Sequence, residues 1–157
     1  MSRERVPEPH LSAWRALLNT HASVVGRVEE ELAAADLPPL AWYDILWAVR
    51  RAPGRQVRMA ELADGLTLSR GGVTKLVDRL ESAGLLRRER AEDDGRGFYA
   101  ALTPDGEKML RRMWPVYARV LRATFVDALS DEEAGVIAEG LDRAKAAASA
   151  PSHGPVR

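Results

Sequence analysis

The stretch that most constrains this chain is residues 69–86, SRGGVTKLVDRLESAGLL. Val73, Leu76, Val77 and Leu80 fall at i, i+3, i+4 and i+7, which lines one face of an α-helix with apolar side chains. Ser69 suits the N-cap, where its hydroxyl can accept an orphan backbone N–H of the first turn. Gly84 suits the left-handed residue that closes a helix. The spacing therefore predicts a helix over 69–83 that hands over to a strand. Its opposite face carries Arg70, Thr74, Lys75, Asp78 and Arg79. Such a helix can simply solvate its charged face, or it can offer that face to a polyanion.

The flanking segments narrow the choice. Ala60, Leu62, Ala63 and Leu66 predict a short helix over 60–66, with Thr67 and Leu68 as the turn into Ser69. Two short helices joined by a tight turn, the second basic outside, form a helix-turn-helix pattern. After Gly84 the chain reads strand (86–90), loop (91–97) and strand (98–102). Asp94-Gly95 and Gly97 supply turn residues, and Phe98, Ala100 and Leu102 alternate on one face. A hairpin directly after such a helix is a wing. Val57 and Met59 suggest a very short strand ahead of the pair.

Longer helices surround this centre. Leu11, Trp14, Leu18, His21, Val25, Val28 and Leu32 predict a helix over 11–36 with one apolar face and Glu29, Glu30 and Glu31 on its wet side. That face needs a partner, either within the chain or on a second subunit. Pro38-Pro39 separates it from a helix over 40–51 that is apolar on most sides and hence central. Thr103-Pro104 restarts a helix running to about 128, with Pro115 expected to bend it. Ser130-Asp131-Glu132-Glu133 is a capping-box pattern opening a last helix, and a loose tail follows from 149. The fold class is mainly α with a small β-hairpin wing.

Composition removes several function classes. The 157 residues include no cysteine, which excludes disulfides, thiolate metal sites and thiol redox sensing. Three histidines without ligand spacing leave no metal motif, and no Gly-rich phosphate loop or nucleophile elbow is present. The expectation is no enzyme, no catalytic residues and no cofactor. No apolar run spans a bilayer and no signal peptide is visible, so the expected location is cytoplasmic, with no membrane partner. Formal net charge is zero, yet residues 50–79 hold seven cations against three anions, whereas the six ionised groups of 127–142 are all acidic. A basic middle of this kind can face a polyanion.

In this order, these elements resemble the MarR (multiple-antibiotic-resistance regulator) family of winged helix-turn-helix transcription factors. The likeness covers residues 11–148. It rests on Glu61-Leu62-Ala63, Leu68-Ser69-Arg70, the run VTKLVDRLE from Val73, and Gly84-Leu85. A second stretch, Asp94-Gly95-Arg96 followed by Leu102-Thr103-Pro104-Asp105-Gly106, stands at the family's spacing. The resemblance implies one domain over 1–157, with dimerisation helices at 11–36 and 104–148 and a DNA-binding lobe at 40–103. It implies a homodimer on double-stranded DNA, acting as a repressor at a pseudo-palindromic operator.

By that resemblance the DNA-contacting set is Ser69, Arg70, Gly71, Gly72, Thr74, Lys75, Arg79, Asp94 and Arg96. Arg96 would enter a narrow minor groove, which attracts arginine, while Asp94 holds its guanidinium. Gly71 and Gly72 depart from the family, which more often places Ser, Pro or Thr there. They let backbone approach a groove but remove two base contacts, so a winged-helix protein-interaction module without DNA binding stays as the alternative. Members of the family also bind small aromatic effectors in a cleft. Here Trp14, His21, Trp42, Tyr43, Trp47, Met113 and Tyr117 lie on helices that would line one, although aromatics at helical spacing also simply fill cores.

Overall fold

The computed structural model describes residues 5–64, 70–90 and 97–150, with the side chains of 63, 64 and 70 outside that description. The elements run α1 (Glu8–Ala34), α2 (Leu40–Arg51), a 3-10 turn (Pro53–Arg55), β1 (Gln56–Arg58), α3 (Met59–Asp64), α4 (Arg70–Ser82), β2 (Leu86–Arg90), β3 (Phe98–Leu102), α5 (Pro104–Leu121), a π-helical turn (Arg122–Val126) and α6 (Asp131–Ser149). They fall into two compact units, Met1–Val120 and Leu121–Arg157.

In the first unit, α1 starts three residues earlier than expected, because Pro7 and Pro9 sit where the first turn needs no backbone donors. It ends on Asp36 in the left-handed region (φ 54°), with Leu37 N–H donating to the Leu32 carbonyl at 2.9 Å and Asp36 N–H to that of Ala33. That is the Schellman arrangement, built here on Asp rather than Gly. The expected wet side of α1 is only partly wet. Glu29 accepts the backbone N–H of Leu40 at 3.0 Å, so α1 supplies the N-terminal anion that α2, opening on Pro39, lacks. Glu31 pairs with Arg119 of α5 at 2.9 Å.

The core gathers Val28 and Leu32 of α1, Ile45, Leu46 and Val49 of α2, Val73, Val77 and Leu80 of α4, Leu86 of β2, and Leu110, Met113 and Val120 of α5. The strands form one antiparallel sheet in the order β1-β3-β2, with Val57 opposite Ala100 and Arg88 opposite Ala100 from the other side. The small side chains of Ala100 and Ala101 are buried on this central strand. Phe98 departs from the expected alternation: it stands at the end of the strand and is half exposed.

A tight joint fixes the wing to the helices on either side. Gly84 takes φ 72° and closes α4, with Leu85 N–H donating to the Leu80 carbonyl at 2.9 Å. The Thr103 hydroxyl accepts the Gly106 N–H at 3.0 Å, capping α5, and donates to the Gly84 carbonyl at 2.7 Å. Gly106 lies so close beneath Leu85 that a Cβ there would stand 2.2 Å from its carbonyl oxygen. The Leu102-Thr103-Pro104-Asp105-Gly106 run is thus a packing requirement: β3 can only turn into α5 here if residue 106 has no side chain.

The α5 helix continues through Pro115 to Leu121, where the ladder widens into the π-helical turn, so the helix expected to about 128 stays helical to Val126 but changes its hydrogen-bond pattern over the last turn. In the second unit, α6 opens on the capping box read from sequence. Glu133 N–H donates to Ser130 Oγ at 3.2 Å, and the Glu133 carboxylate accepts the Ser130 N–H at 2.9 Å. Donation to the carboxylate from the Ser130 backbone N–H, and then from the Ser130 hydroxyl at 2.9 Å, holds the Glu133 carboxyl below its ordinary pKa.

Candidate nucleic-acid interface and adjoining cleft

Helix α4 divides cleanly into two faces. Val73, Val77 and Leu80 are fully buried, each burial contributing about 1.5–3 kcal/mol. Gly71, Thr74, Lys75, Asp78 and Arg79 are exposed on the other side. The dry stripe fixes the rotation of the helix, and the fixed rotation presents Thr74, Lys75 and Arg79 outward together. A Cβ built at Gly71 would meet nothing within 4 Å among the described residues, so their packing does not require glycine there.

Arg88 of β2 joins α4 to the wing. Its Nη2 donates to Asp78 at 2.5 Å, its Nη1 to Glu81 at 2.7 Å, and its backbone N–H to Glu81 at 3.1 Å. The Asp78 hydrogen bond is the main reason its guanidinium is held charged even more firmly than usual. Sequence reasoning passed over Arg88. An Asp-x-x-Glu pair on the helix and an arginine on the next strand were the available signal.

A second feature lies between α2 and α5. A cavity of about 340 Å³ is lined by Tyr43, Trp47, Arg50, Glu107, Leu110, Arg111 and Trp114. Tyr43 is the hub of its aromatic wall, stacked on Trp47 (6.1 Å between centroids) and Trp114 (6.2 Å) and edge-on to Tyr117 (5.2 Å). Burial raises the pKa of both Tyr43 and Tyr117, so both hydroxyls stay neutral near pH 7. Arg50 lies over the Trp47 ring, 5.1 Å from its centroid.

Glu107 supplies the polar end of the cleft. It is buried, and three arginines surround it: Arg50 at 3.1 Å, Arg111 at 3.4 Å and Arg55 at 3.9 Å. Its Oε2 has the ion contacts with Arg50 and Arg55 but no hydrogen bond among the described residues. An apolar wall ending in cations and one under-satisfied acceptor can hold an amphipathic aromatic molecule. Among the described residues no cluster of His, Cys, Asp or Glu could hold a metal, and no helix is long and apolar enough to cross a membrane.

Comparison with known proteins places this geometry. The MarR family model matches residues 35–97. A Bacillus subtilis HTH-type transcriptional regulator, YkoM, is 33% identical over 76 residues, covering 48% of this chain and 49% of YkoM. The chain thus spans about half the length of such curated relatives. Solved structures align much further. AbsC, a MarR family transcriptional regulator from Streptomyces coelicolor, is 27% identical with TM-score 0.79 over 90% of this chain and 95% of its own. Sco3205, from the same organism and solved in complex with DNA, is 27% identical with TM-score 0.82 over 98% and 96%. Residues 35–97 thus match the MarR family, and the chain shares its fold with MarR family regulators of solved structure.

Against the MarR-family pattern, the expected contact residues divide three ways. Gly71, Thr74, Lys75 and Arg79 share the exposed face of α4, and Gly72 beside them is half-buried. Arg70 begins the helix. Ser69, Asp94 and Arg96 lie outside the described residues. The expected ligand residues scatter more widely. Tyr43 and Trp47 line the cleft, and Tyr117 abuts Tyr43. Met113 is fully buried and Trp42 half-buried against the core, so both fill the interior instead of facing the cavity. Trp14 and His21 are exposed on α1 and do not line it. Arg50, Glu107, Leu110, Arg111 and Trp114 line it without having been singled out. Their signal was faint, because it depends on which faces of two helices far apart in sequence meet.

Proposed function

We propose that this chain is a sequence-specific DNA-binding transcriptional regulator, acting as a homodimeric repressor and released by a small aromatic ligand. One observation carries the reading: a helix whose buried stripe pins Thr74, Lys75 and Arg79 to one exposed face, in a winged helix-turn-helix braced by a hairpin. The likeness to Sco3205, solved with DNA, supports the same partner.

The dimer is supported by apolar side chains that each unit leaves uncovered. In the first these include Trp14 (57% exposed) and Leu18 on α1; in the second, Val136, Ile137 and Leu141 on α6. Large exposed apolar groups on neighbouring turns of a helix mark an interface. The ligand reading rests on the cleft of Tyr43, Trp47 and Trp114 with Arg50 and Arg111 at its polar end.

The test is a binding titration on duplexes selected by the protein from a random-sequence pool. A dimer making six or more phosphate contacts should lose roughly a thousandfold or more in affinity between about 50 and 200 mM salt. Lys75→Ala should weaken binding across sequences and flatten that salt dependence. Absence of binding at low salt rejects the reading in favour of a protein-interaction module.

A further inference from the structure

Asp78 is an oddity in the face just described. It lies one turn beyond Thr74 and Lys75, next to Arg79, and its side chain is 54% exposed. A carboxylate there would repel the phosphates the neighbouring cations attract. The same side chain receives Arg88 Nη2 at 2.5 Å. Glu81, on the next turn and turned toward β2, holds Arg88 through Nη1 and through the backbone.

From this cluster we infer that Arg88 is a positioning residue that screens Asp78, so that the exposed face of α4 can meet a polyanion without a local repulsion. The inference rests on the DNA-binding reading above. Arg88 is three-quarters covered and both its η nitrogens are engaged within the protein, so it is placed to neutralise the helix instead of reaching out to a ligand. Glu81 fixes the guanidinium and Asp78 is what it covers. Asp78, Glu81 and Arg88 together carry one net negative charge. Losing Arg88 doubles that charge, and losing both Arg88 and Asp78 restores it.

This charge balance separates screening from a purely mechanical brace. Binding of the selected duplex is measured by fluorescence anisotropy at several salt concentrations, for wild type, Arg88→Met, Arg88→Lys, Asp78→Asn and the Arg88→Met/Asp78→Asn pair. Thermal unfolding of each variant identifies the folded ones. Screening predicts that Arg88→Met binds roughly tenfold more weakly at low salt, the scale of one surface charge repulsion. The gap should narrow as salt rises. Arg88→Lys and Asp78→Asn bind at least nearly as well as wild type, and the pair returns to within about threefold of it, an additive-cycle failure diagnostic of coupling. A brace predicts that Asp78→Asn and Arg88→Lys both weaken binding and that the pair stays as weak as Arg88→Met. That result overturns the inference, as does wild-type affinity in Arg88→Met. A wild-type protein that selects no duplex overturns the DNA-binding reading itself, and this inference with it.

Discussion

Helices α4 and α6 are both amphipathic, yet they end in opposite conditions. The 13-residue α4 buries Val73, Val77 and Leu80 completely within its own chain. The 19-residue α6 buries nothing, and Val136, Ile137 and Leu141 remain exposed at 38–67%. The same 3.6-residue periodicity underlies both. The difference teaches that one stripe is satisfied inside a single copy and sets the aim of the opposite face, whereas the other is left uncovered in the single chain. In the proposed function those are complementary tasks: α4 reads DNA, and stripes such as that of α6 fix the spacing between two such readers.

Substitutions on the two sides should separate accordingly. The largest effect is expected at the joint that holds α4, β3 and α5 together. Gly106→Ala places a Cβ against the Leu85 backbone, which cannot swing aside as a flexible side chain could. It should lower unfolding stability by roughly 2–4 kcal/mol, in the range of severe overpacking, read by denaturant unfolding at constant m-value. On the α6 side, Ile137→Lys with Leu141→Lys should leave helix content unchanged and shift the protein to monomers in sedimentation at micromolar concentration. A dimer that survives the pair would break the comparison.

Smaller effects sharpen it. Glu107→Ala removes the carboxylate that three arginines share. Because those arginines are partly exposed and can regain water, the cost should be only about 1–2 kcal/mol, below that of fully buried pairs. The same variant should alter which aromatic compounds raise the melting temperature of the native protein. The smallest is Ser130→Ala, which removes the α6 cap and should lower the thermal midpoint by a few degrees. This penalty should depend on pH. The Glu133 pKa is depressed in the fold, so its contribution is present above the ordinary carboxylate pKa and fades as pH falls through the folded value. The gap between wild type and Ser130→Ala should shrink in acid.

Much of this architecture was legible because it is local. The α4 stripe, the Gly84 stop, the Thr103-Pro104 restart and the Ser130–Glu133 box each depend on residues within one or two turns. What escaped depends on pairs far apart in sequence. Glu29 capping α2, Glu31 meeting Arg119, and Arg50 meeting Glu107 each join groups on different helices, which no pattern within one helix reveals. The cleft shows the same limit. Periodicity put Trp14 and His21 on an apolar face, and the resemblance placed them with Trp42 and Met113 around a cleft. Neither could say that Met113 would be enclosed, that Trp14 and His21 would face outward, or that Trp114 would line the cavity. The π-helical turn at 122–126 has no local sequence signal at all.

The central claim is that two copies present their α4 helices to successive major grooves on one side of a duplex. Hydroxyl-radical footprinting of the native protein on its selected duplex tests this most directly. The account predicts two protected tracts on one face of the helix, centred about 10–10.5 bp apart, both lost together in Lys75→Ala/Arg79→Ala. A single tract, or protection unchanged in that double variant, would contradict it.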